Sequence, residues 1–248
     1  MNEHDTYMTD FMKVFETLEY WGPGSELDTQ KALSRITGTP SNILEVGCGK
    51  GLATKVLAEY SEAHITAVDN EQSALDRLTQ RFQQLGISHR LNTVNASMTE
   101  LPFENDRFDL IWSEGSAYIM GVENALVQWK RFLSEQGYLV LSDMIWHTNT
   151  PSEPVIDFWQ QEYPDMQSVP TRIEQMEKAG YRVIEHFQMS EQAWSNYYVP
   201  LRARVSELKP EMPSSSALHD IQHEVDICSN FSHEFGYHFF ILQKDAAQ

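Results

Sequence analysis

Cysteine is scarce: only Cys48 and Cys228 occur in 248 residues. Two cysteines so far apart make no disulfide framework of the kind small secreted domains use. A reducing cytoplasm is the expected compartment. No apolar run reaches the 18 residues at which a membrane-spanning helix becomes a candidate. The opening Met1-Asn2-Glu3-His4-Asp5 has neither the basic nor the apolar stretch of a secretory leader, so none is expected. Basic residues are also few, with 18 Lys and Arg against 36 Asp and Glu, a formal charge of −18. Such a surface repels a phosphate backbone or an anionic membrane. The densest basic groups, Lys130-Arg131 and Arg202 with Arg204, are small. Nucleic acid and membrane are therefore not expected as partners. Internal repeats and low-complexity tracts are missing too.

What is present is a 41% hydrophobic chain with a regular alternation of patterns. Phe11, Phe15 and Leu18 share one face of a helix, which Trp21-Gly22-Pro23-Gly24 breaks. Ser25 and Asp28 read as an N-cap and the acid three residues on, opening a second helix to about Ile36. Short β-runs follow at Ile43–Val46, Ile65–Val68, Leu91–Val94, Phe108–Trp112 and Tyr138–Ile145. Helical patterns separate them at Leu52–Tyr60, Glu71–Leu85 and Asn124–Leu133. This alternation predicts a mostly parallel α/β sheet with helices on both faces. Beyond it, Pro151–Tyr163 is rich in Pro, acid and aromatics, and a helix opens near Thr171. A strand is expected at Tyr181–Phe187, helices at Glu191–Leu208 and Ala217–Cys228, and a last strand at Gly236–Leu242. The expected organisation is one domain over 1–248, with an N-terminal helical cap (1–42), a core (43–145) and a C-terminal insertion with the last strands (146–248).

The first strand runs into Gly47-Cys48-Gly49-Lys50-Gly51 and then a helix. Glycines let a backbone turn sharply and approach a ligand closely, and the helix N-terminus behind them offers free N–H groups. Asp69 ends the next strand, where an acid can accept hydrogen bonds from both hydroxyls of a ribose. A dinucleotide fingerprint would read Gly-x-Gly-x-x-Gly. Here the third glycine, Gly51, comes one position early.

Glu45-Val46-Gly47-Cys48-Gly49-Lys50-Gly51 resembles motif I of the class I, Rossmann-like S-adenosylmethionine-dependent methyltransferases. Ala67-Val68-Asp69-Asn70 is similar to their acidic motif after it. Leu101-Pro102-Phe103 with Phe108-Asp109-Leu110-Ile111 resembles the approach to their fourth strand. Phe132 to Leu139 resembles the entry to the fifth, with Glu135-Gln136-Gly137 where Pro-Gly-Gly is usual. The nearest branch is the type 11 small-molecule methyltransferases. The resemblance implies a seven-stranded Rossmann-like sheet and S-adenosylmethionine as cofactor. It implies that Gly47, Gly49 and Gly51 pass under the methionine and ribose, and that Glu45 orients the loop or the amino group. Asp69 would hold the ribose and Asn70 would lie near the adenine. Ser97 stands where relatives carry an acid for the adenine amino group, and Met98 follows it. Ser113 and Glu114 would end the fourth strand at the ligand edge. The signatures of DNA base methyltransferases, Pro-Cys and Asp/Asn-Pro-Pro-Tyr, are missing.

Methyl transfer from a sulfonium needs alignment more than acid–base help, and a base only where the acceptor must lose a proton. Glu114, Tyr118 and His147 are the catalytic candidates near the sheet edge. Trp194, Tyr197, Tyr198 and Arg202 are the substrate-binding candidates, with Trp159 and Arg204 beside them. Each of these has an ordinary structural reading as well, as packing aromatic or surface charge. His219 and His223 have metal-compatible spacing but no Glu between them and no third ligand, so no metal is expected. The expected acceptor is a small molecule. A nicotinamide-dependent oxidoreductase and a non-catalytic S-adenosylmethionine-binding protein remain as alternatives. The oligomeric state, monomer or homodimer, stays open. The two flanks are expected to close over the methyl group, with Gly22 and Gly24 as a hinge.

Overall fold

The computed structural model describes residues 3–245; the expected cap and insertion extend to residues 1–2 and 246–248, which lie outside them. Its centre is the run Asn42–Val46 (β1), buried from Ile43 onward. A strand covered on both faces has no polar side to alternate with, so it reads as a short apolar run. β1 pairs in parallel with His64–Asp69 (β2) on one side and Phe108–Ser113 (β4) on the other. Leu91–Asn95 (β3) lies outside β2. Leu133–Trp146 (β5) follows β4, and Phe235–Lys244 (β8) runs antiparallel between β5 and Tyr181–Gln188 (β7). The order is β3-β2-β1-β4-β5-β8-β7. The sheet has eight strands where seven were expected, because Gln167–Ser168 (β6) adds two residues beside the end of β5. Two residues carry no readable periodicity.

Glu26–Leu33 (α2), Leu52–Glu59 (α3) and Gln72–Gln84 (α4) supply Leu33, Leu57, Leu75 and Phe82 to one core. Val122–Trp129 (α5) and Val169–Lys178 (α7) supply Leu126, Trp129 and Met176 to the core on the opposite face. The sequence pattern placed α5 too late and β5 too short. Leu133 already pairs with Phe108 before the register shifts to Leu110 and Tyr138. The bend between carries Gln136 at φ 60°. Glu153–Glu162 (α6) was not expected at all. Its Pro154 looks like a breaker, but it stands in the first turn, where a missing N–H costs nothing.

The cover over the C-terminal edge of the sheet comes from both ends of the chain. Glu3–Phe15 (α1) lies against Glu191–Leu208 (α8) and Ser216–Phe231 (α9). Phe15 stacks 6.5 Å from Tyr197, and the Tyr7 hydroxyl donates to Asp220 at 3.1 Å. Ser25 caps α2 as the sequence indicates, accepting from the Asp28 amide. Asp28 also accepts from the amide and hydroxyl of Ser190, the N-cap of α8, at 3.1 and 2.6 Å. Gly24 donates to the Ala193 carbonyl and accepts from Asn196. The expected hinge residue is thus tied to α8 on both its polar groups.

Under α7 sits a fully buried ion pair. The Arg172 Nε donates to Asp143 at 2.8 Å, with both side chains at 0% exposure. Tyr163 donates to the other Asp143 oxygen at 2.8 Å, and Arg172 reaches Asp165 at 3.1 Å. Burial pushes the Asp143 carboxyl up to about 6, against the lowering effect of Arg172. Removing one partner strands the other charge. Arg172→Met is expected to lower unfolding free energy by about 3–5 kcal/mol. A urea denaturation curve that does not move would show that the pair is dispensable.

Candidate active site

The glycine loop leaves β1 at Gly47, whose φ of 74° falls in the left-handed region. A Cβ there would stand 2.4 Å from the Ser116 Oγ, so the position is closed to side chains twice over. Ser116 in turn donates to the Val46 carbonyl at 2.9 Å and shares a 2.7 Å hydrogen bond with Ser113. Ser113 is therefore occupied beneath the loop, fully buried, rather than turned toward a ligand. Gly49, at φ 49°, differs. Its open side meets nothing nearer than the Trp21 ring, at 4.0 Å from where a Cβ would be. This is the side a ligand can approach. Gly51, also left-handed, precedes α3 and packs against Leu78.

Asp69 sets the loop. Its Oδ2 accepts the Gly49 amide at 2.8 Å and its Oδ1 accepts the Glu71 amide at 3.0 Å. Each carboxylate oxygen has a further lone pair, enough for two ligand hydroxyls. Asn70, exposed, follows it. The Ala96 amide donates to the Asp69 carbonyl, which brings the loop after β3 alongside. There Ser97 is exposed and hydrogen-bonded to Thr99 at 2.7 Å, while Met98 is half-buried and its carbonyl accepts from Trp129. Both stand at the same edge as Asn70.

Glu45 lies under the loop at 3% exposure, and its Oε2 has no hydrogen-bond partner. Burial raises its carboxyl to about 8, with neighbouring Thr54 opposing and Glu114 and Asp69 adding to the rise. A buried acceptor without a donor is costly, and a ligand ammonium would meet that need. The residues present therefore fit S-adenosylmethionine: Asp69 for its ribose, the Gly49 face for its chain, Glu45 for its charged end.

Lys50, inside the loop, is the one basic residue there that the sequence leaves open as a phosphate ligand. The structure gives it another task. Its ammonium is buried and donates to the carbonyls of Phe15 and Glu16 at 3.2 and 3.1 Å, and to that of Leu18. It caps the last turn of α1, where carbonyls lack helical donors. It also lies 5.2 Å from the Trp21 ring, whose Nε1 donates to Phe15. Burial lowers its ammonium to about 8.

Glu114 follows β4 and meets the cover. Its Oε1 accepts from Thr29 of α2 and from Trp112, both at 2.8 Å. Burial pushes it up to about 7, and both hydrogen bonds oppose the rise. Tyr118 stands nearby in a short 3-10 turn, its ring 5.4 Å from Tyr163. Trp194 and Tyr198 stack at 5.2 Å, and Tyr197 meets Tyr198 edge-on at 4.7 Å. Trp159 packs on Phe158 and Phe235. His147 rests against Gly236, at a point where a Cβ would also lie 3.5 Å from Trp194, and its ring is 6.1 Å from that of His238. The other candidates lie apart. Arg202 is exposed and donates to Ser229 of α9. Arg204 caps the same region of α1 through the Lys13 carbonyl. The ring of His223 packs on Phe158. Sequence reasoning missed Glu224, which accepts from Tyr198 at 2.9 Å, and Tyr237, whose ring edge faces Gly115. Glu224 stood only as a neighbour of two histidines, and Tyr237 only as one apolar residue in a strand.

Two open clefts lie elsewhere, one beside α6 lined by Trp146, Trp159 and Tyr163, the other at the N-terminal edge of the sheet. The cover closes over the loop itself. Residues 43–137 match the family described as "Methyltransferase domain". Over that stretch the chain is similar to the class I S-adenosylmethionine-dependent methyltransferases. It is 25% identical over 135 residues to a sarcosine/dimethylglycine N-methyltransferase of Halorhodospira halochloris, covering 53% of this chain and 48% of that one. It is 25% identical over 198 residues to an O-methyltransferase of Pyrenophora dematioidea, covering 74% of each. The match thus spans about half of the first relative. The fold is shared with an S-adenosylmethionine-dependent methyltransferase of Geobacter sulfurreducens in complex with S-adenosyl-L-homocysteine. There the TM-score is 0.77 at 16% identity, over 94% of this chain and 96% of that one.

Two outcomes are expected of this site. Asp69→Ala weakens S-adenosylhomocysteine binding at least about tenfold in calorimetry, as loss of a charge-assisted hydrogen bond of about 1.5–3 kcal/mol requires. Unchanged affinity in a folded variant removes Asp69 from the ribose. The second concerns Glu45, whose carboxyl keeps its proton to about pH 8 when folded against an ordinary value of 4.5. Its contribution to stability is present on the acid side and is lost as pH rises through that window. The melting temperature of the ligand-free chain should fall from pH 4.5 to 8, and Glu45→Gln should flatten part of that fall. A slope identical in both proteins would dismiss this account.

Proposed function

We infer that this chain transfers a methyl group from S-adenosylmethionine to a small-molecule acceptor enclosed between the glycine loop and the two-part cover. The observation that carries the reading is the junction at Glu114. One carboxyl, at the end of β4, touches α2 of the N-terminal cap and stands one residue before the Gly115 turn that faces Tyr237. Cofactor loop, cap and C-terminal insertion converge there. The bound cofactor supplies an activated methyl on a sulfonium. The protein's part is to exclude water, align the acceptor and, where the acceptor carries a proton, receive it on Glu114. With a carboxyl raised to about 7, that group exchanges protons near neutral pH. Tyr118 is a positioning residue at the same edge. His147, packed against Gly236 beside Trp194, is given no step here.

The curated relatives methylate nitrogen in one case and oxygen in the other, by name, so the acceptor atom is not read from them. We place the protein in the cytoplasm on its two buried free cysteines. Among the described residues no helix is long and apolar enough to cross a membrane. The acidity of the chain argues against nucleic acid as acceptor. The expected domain division, cap, core and insertion, is adopted here, with one domain as the working unit.

Calorimetric titration with S-adenosylmethionine, S-adenosylhomocysteine and NAD tests the cofactor. The first two should bind and NAD should not; the reverse would favour an oxidoreductase. Hydrogen exchange tests the cover. S-adenosylhomocysteine should protect residues 5–25 and 190–205 more than α5. Equal protection everywhere would mean that the flanks do not close over the site.

A further inference from the structure

The hydroxyls of Tyr118, Tyr197 and Tyr237 have no hydrogen-bond partner among the described residues, and the three lie close enough to act on one another electrostatically. Tyr197 and Tyr237 are 5% and 8% exposed. The Tyr237 ring tip lies 3.9 Å from where a Cβ on Gly115 would stand, which aims it at the end of β4. Tyr118 is the third, and its hydroxyl and that of Tyr237 both act electrostatically on Tyr197. Trp194 joins the group, 6.2 Å from Tyr237 and stacked on Tyr198. One carboxylate enters this aromatic enclosure. Glu224 of α9 is held by Tyr198 at 2.9 Å through Oε1, which leaves its other oxygen for a ligand. The charged groups that act on Tyr118 and Glu224 are acids, Glu224 and Glu162 for the first and Glu162 for the second. The arginines of α8 point elsewhere, to Ser229 and to α1.

We propose that this enclosure is the acceptor-binding site and that it takes an amine, held as an ammonium by the faces of Tyr118, Tyr197, Tyr237 and Trp194 and by Glu224. The inference rests on the methyl-transfer reading and names its substrate class. Ring faces carry negative quadrupole charge and attract a desolvated cation. A neighbouring carboxylate supplies the full charge that rings cannot. An anionic acceptor would meet Glu162 and Glu224 here, and among the described residues no basic side chain acts on Tyr118 or Glu224 to offset them. Burial holds the Glu224 carboxyl near 7, so a bound cation gives it a reason to ionise. For the transfer itself, the ammonium first gives one proton to a carboxylate. The freed nitrogen pair then forms the N–C bond as the S–C bond breaks, its electrons staying on sulfur.

The test compares two ligands of one shape. Choline and 3,3-dimethylbutan-1-ol differ in charge alone, and neither accepts a methyl group on nitrogen. With the full chain saturated by S-adenosylhomocysteine, choline should bind at least tenfold more tightly than the alcohol in calorimetry. Glu224→Gln should weaken choline at least tenfold and leave S-adenosylhomocysteine within twofold. Tyr237→Phe, which keeps the ring, should retain choline binding within threefold, whereas Tyr237→Leu should lose at least fivefold. Equal binding of the two ligands, no binding of either, or a Glu224→Gln variant that still prefers choline would overturn the proposal. Failure of S-adenosylhomocysteine to bind would instead strike the methyl-transfer reading. The two ligands would then be compared on the ligand-free chain, where the same preference decides the enclosure by itself.

Discussion

The buried ammonium of Lys50 joins two parts of the chain that have no local reason to meet. It belongs to the cofactor loop, and its three acceptors are backbone carbonyls at the end of α1 and just past it. A lysine inside a protein must find acceptors or lose its proton. Here the helix end presents backbone carbonyls that the ammonium shares with the Leu18 amide, Trp21 and Arg77. The consequence reaches outward. With α1 fixed over the loop, Trp21 falls above Gly49, α2 falls against Glu114, and Asp28 meets the start of α8. Residues near both ends of the chain therefore form one cover because a loop residue anchors one of them.

That anchoring explains why the loop glycines are not equivalent. Gly47 and Gly51 face protein, Ser116 and Leu78, so close packing forbids a side chain at either. Gly49 faces the gap under Trp21. Its amide is bound to Asp69, which fixes the direction of the gap relative to the acid that would hold a ribose. Loop, acid and cover are thus a single geometric unit. A change in any of the three alters the space left for a ligand more than it alters the sheet behind.

The parts of this arrangement that could be read from sequence are those with a local cause. Strands β1 to β4 and the helices between them follow from period and from apolar runs, and the Ser25 cap from residue type. The order of glycine loop and Asp69 carried the cofactor. Helix α8 was legible to its ends despite Pro200, because its flanking Ser190 cap and its aromatic spacing outweigh one missing N–H. What was illegible depends on residues far apart. Lys50 and Leu18, Asp28 and Ser190, Asp143 and Arg172 pair across 29 to 162 positions. No local rule links them. Arg202 shows the converse error, since a charged residue beside aromatics on a helix was weighed for ligand chemistry, and the helix turns it outward to Ser229. Helix α6 was not read because Pro151–Tyr163 shows its composition, Pro, acid and aromatics, more plainly than its period, although Pro154 stands in a first turn.

Charge gives the site its remaining logic. Glu45, Glu114 and Glu224 lie on three different elements, yet all three have carboxyls lifted by burial to about 7 or 8. Desolvation is the largest cause in each; neighbouring Thr54 moderates it at Glu45, and hydrogen bonds from Thr29, Trp112 and Tyr198 moderate it at the other two. Such groups hold protons near neutral pH when nothing else is present. A cation brought beside one of them favours the ionised form and expels that proton. The free energy of binding then includes the proton's release, and affinity for a cationic ligand rises with pH until the carboxyls are ionised without help. A neutral ligand gains nothing from the same change. On the amine-acceptor proposal, a buried acid such as Glu224 would therefore favour positive charge through protonation as well as through direct attraction. The chain's overall charge of −18 adds a long-range field of the same sign, which draws cations toward the cover and is weakened by salt.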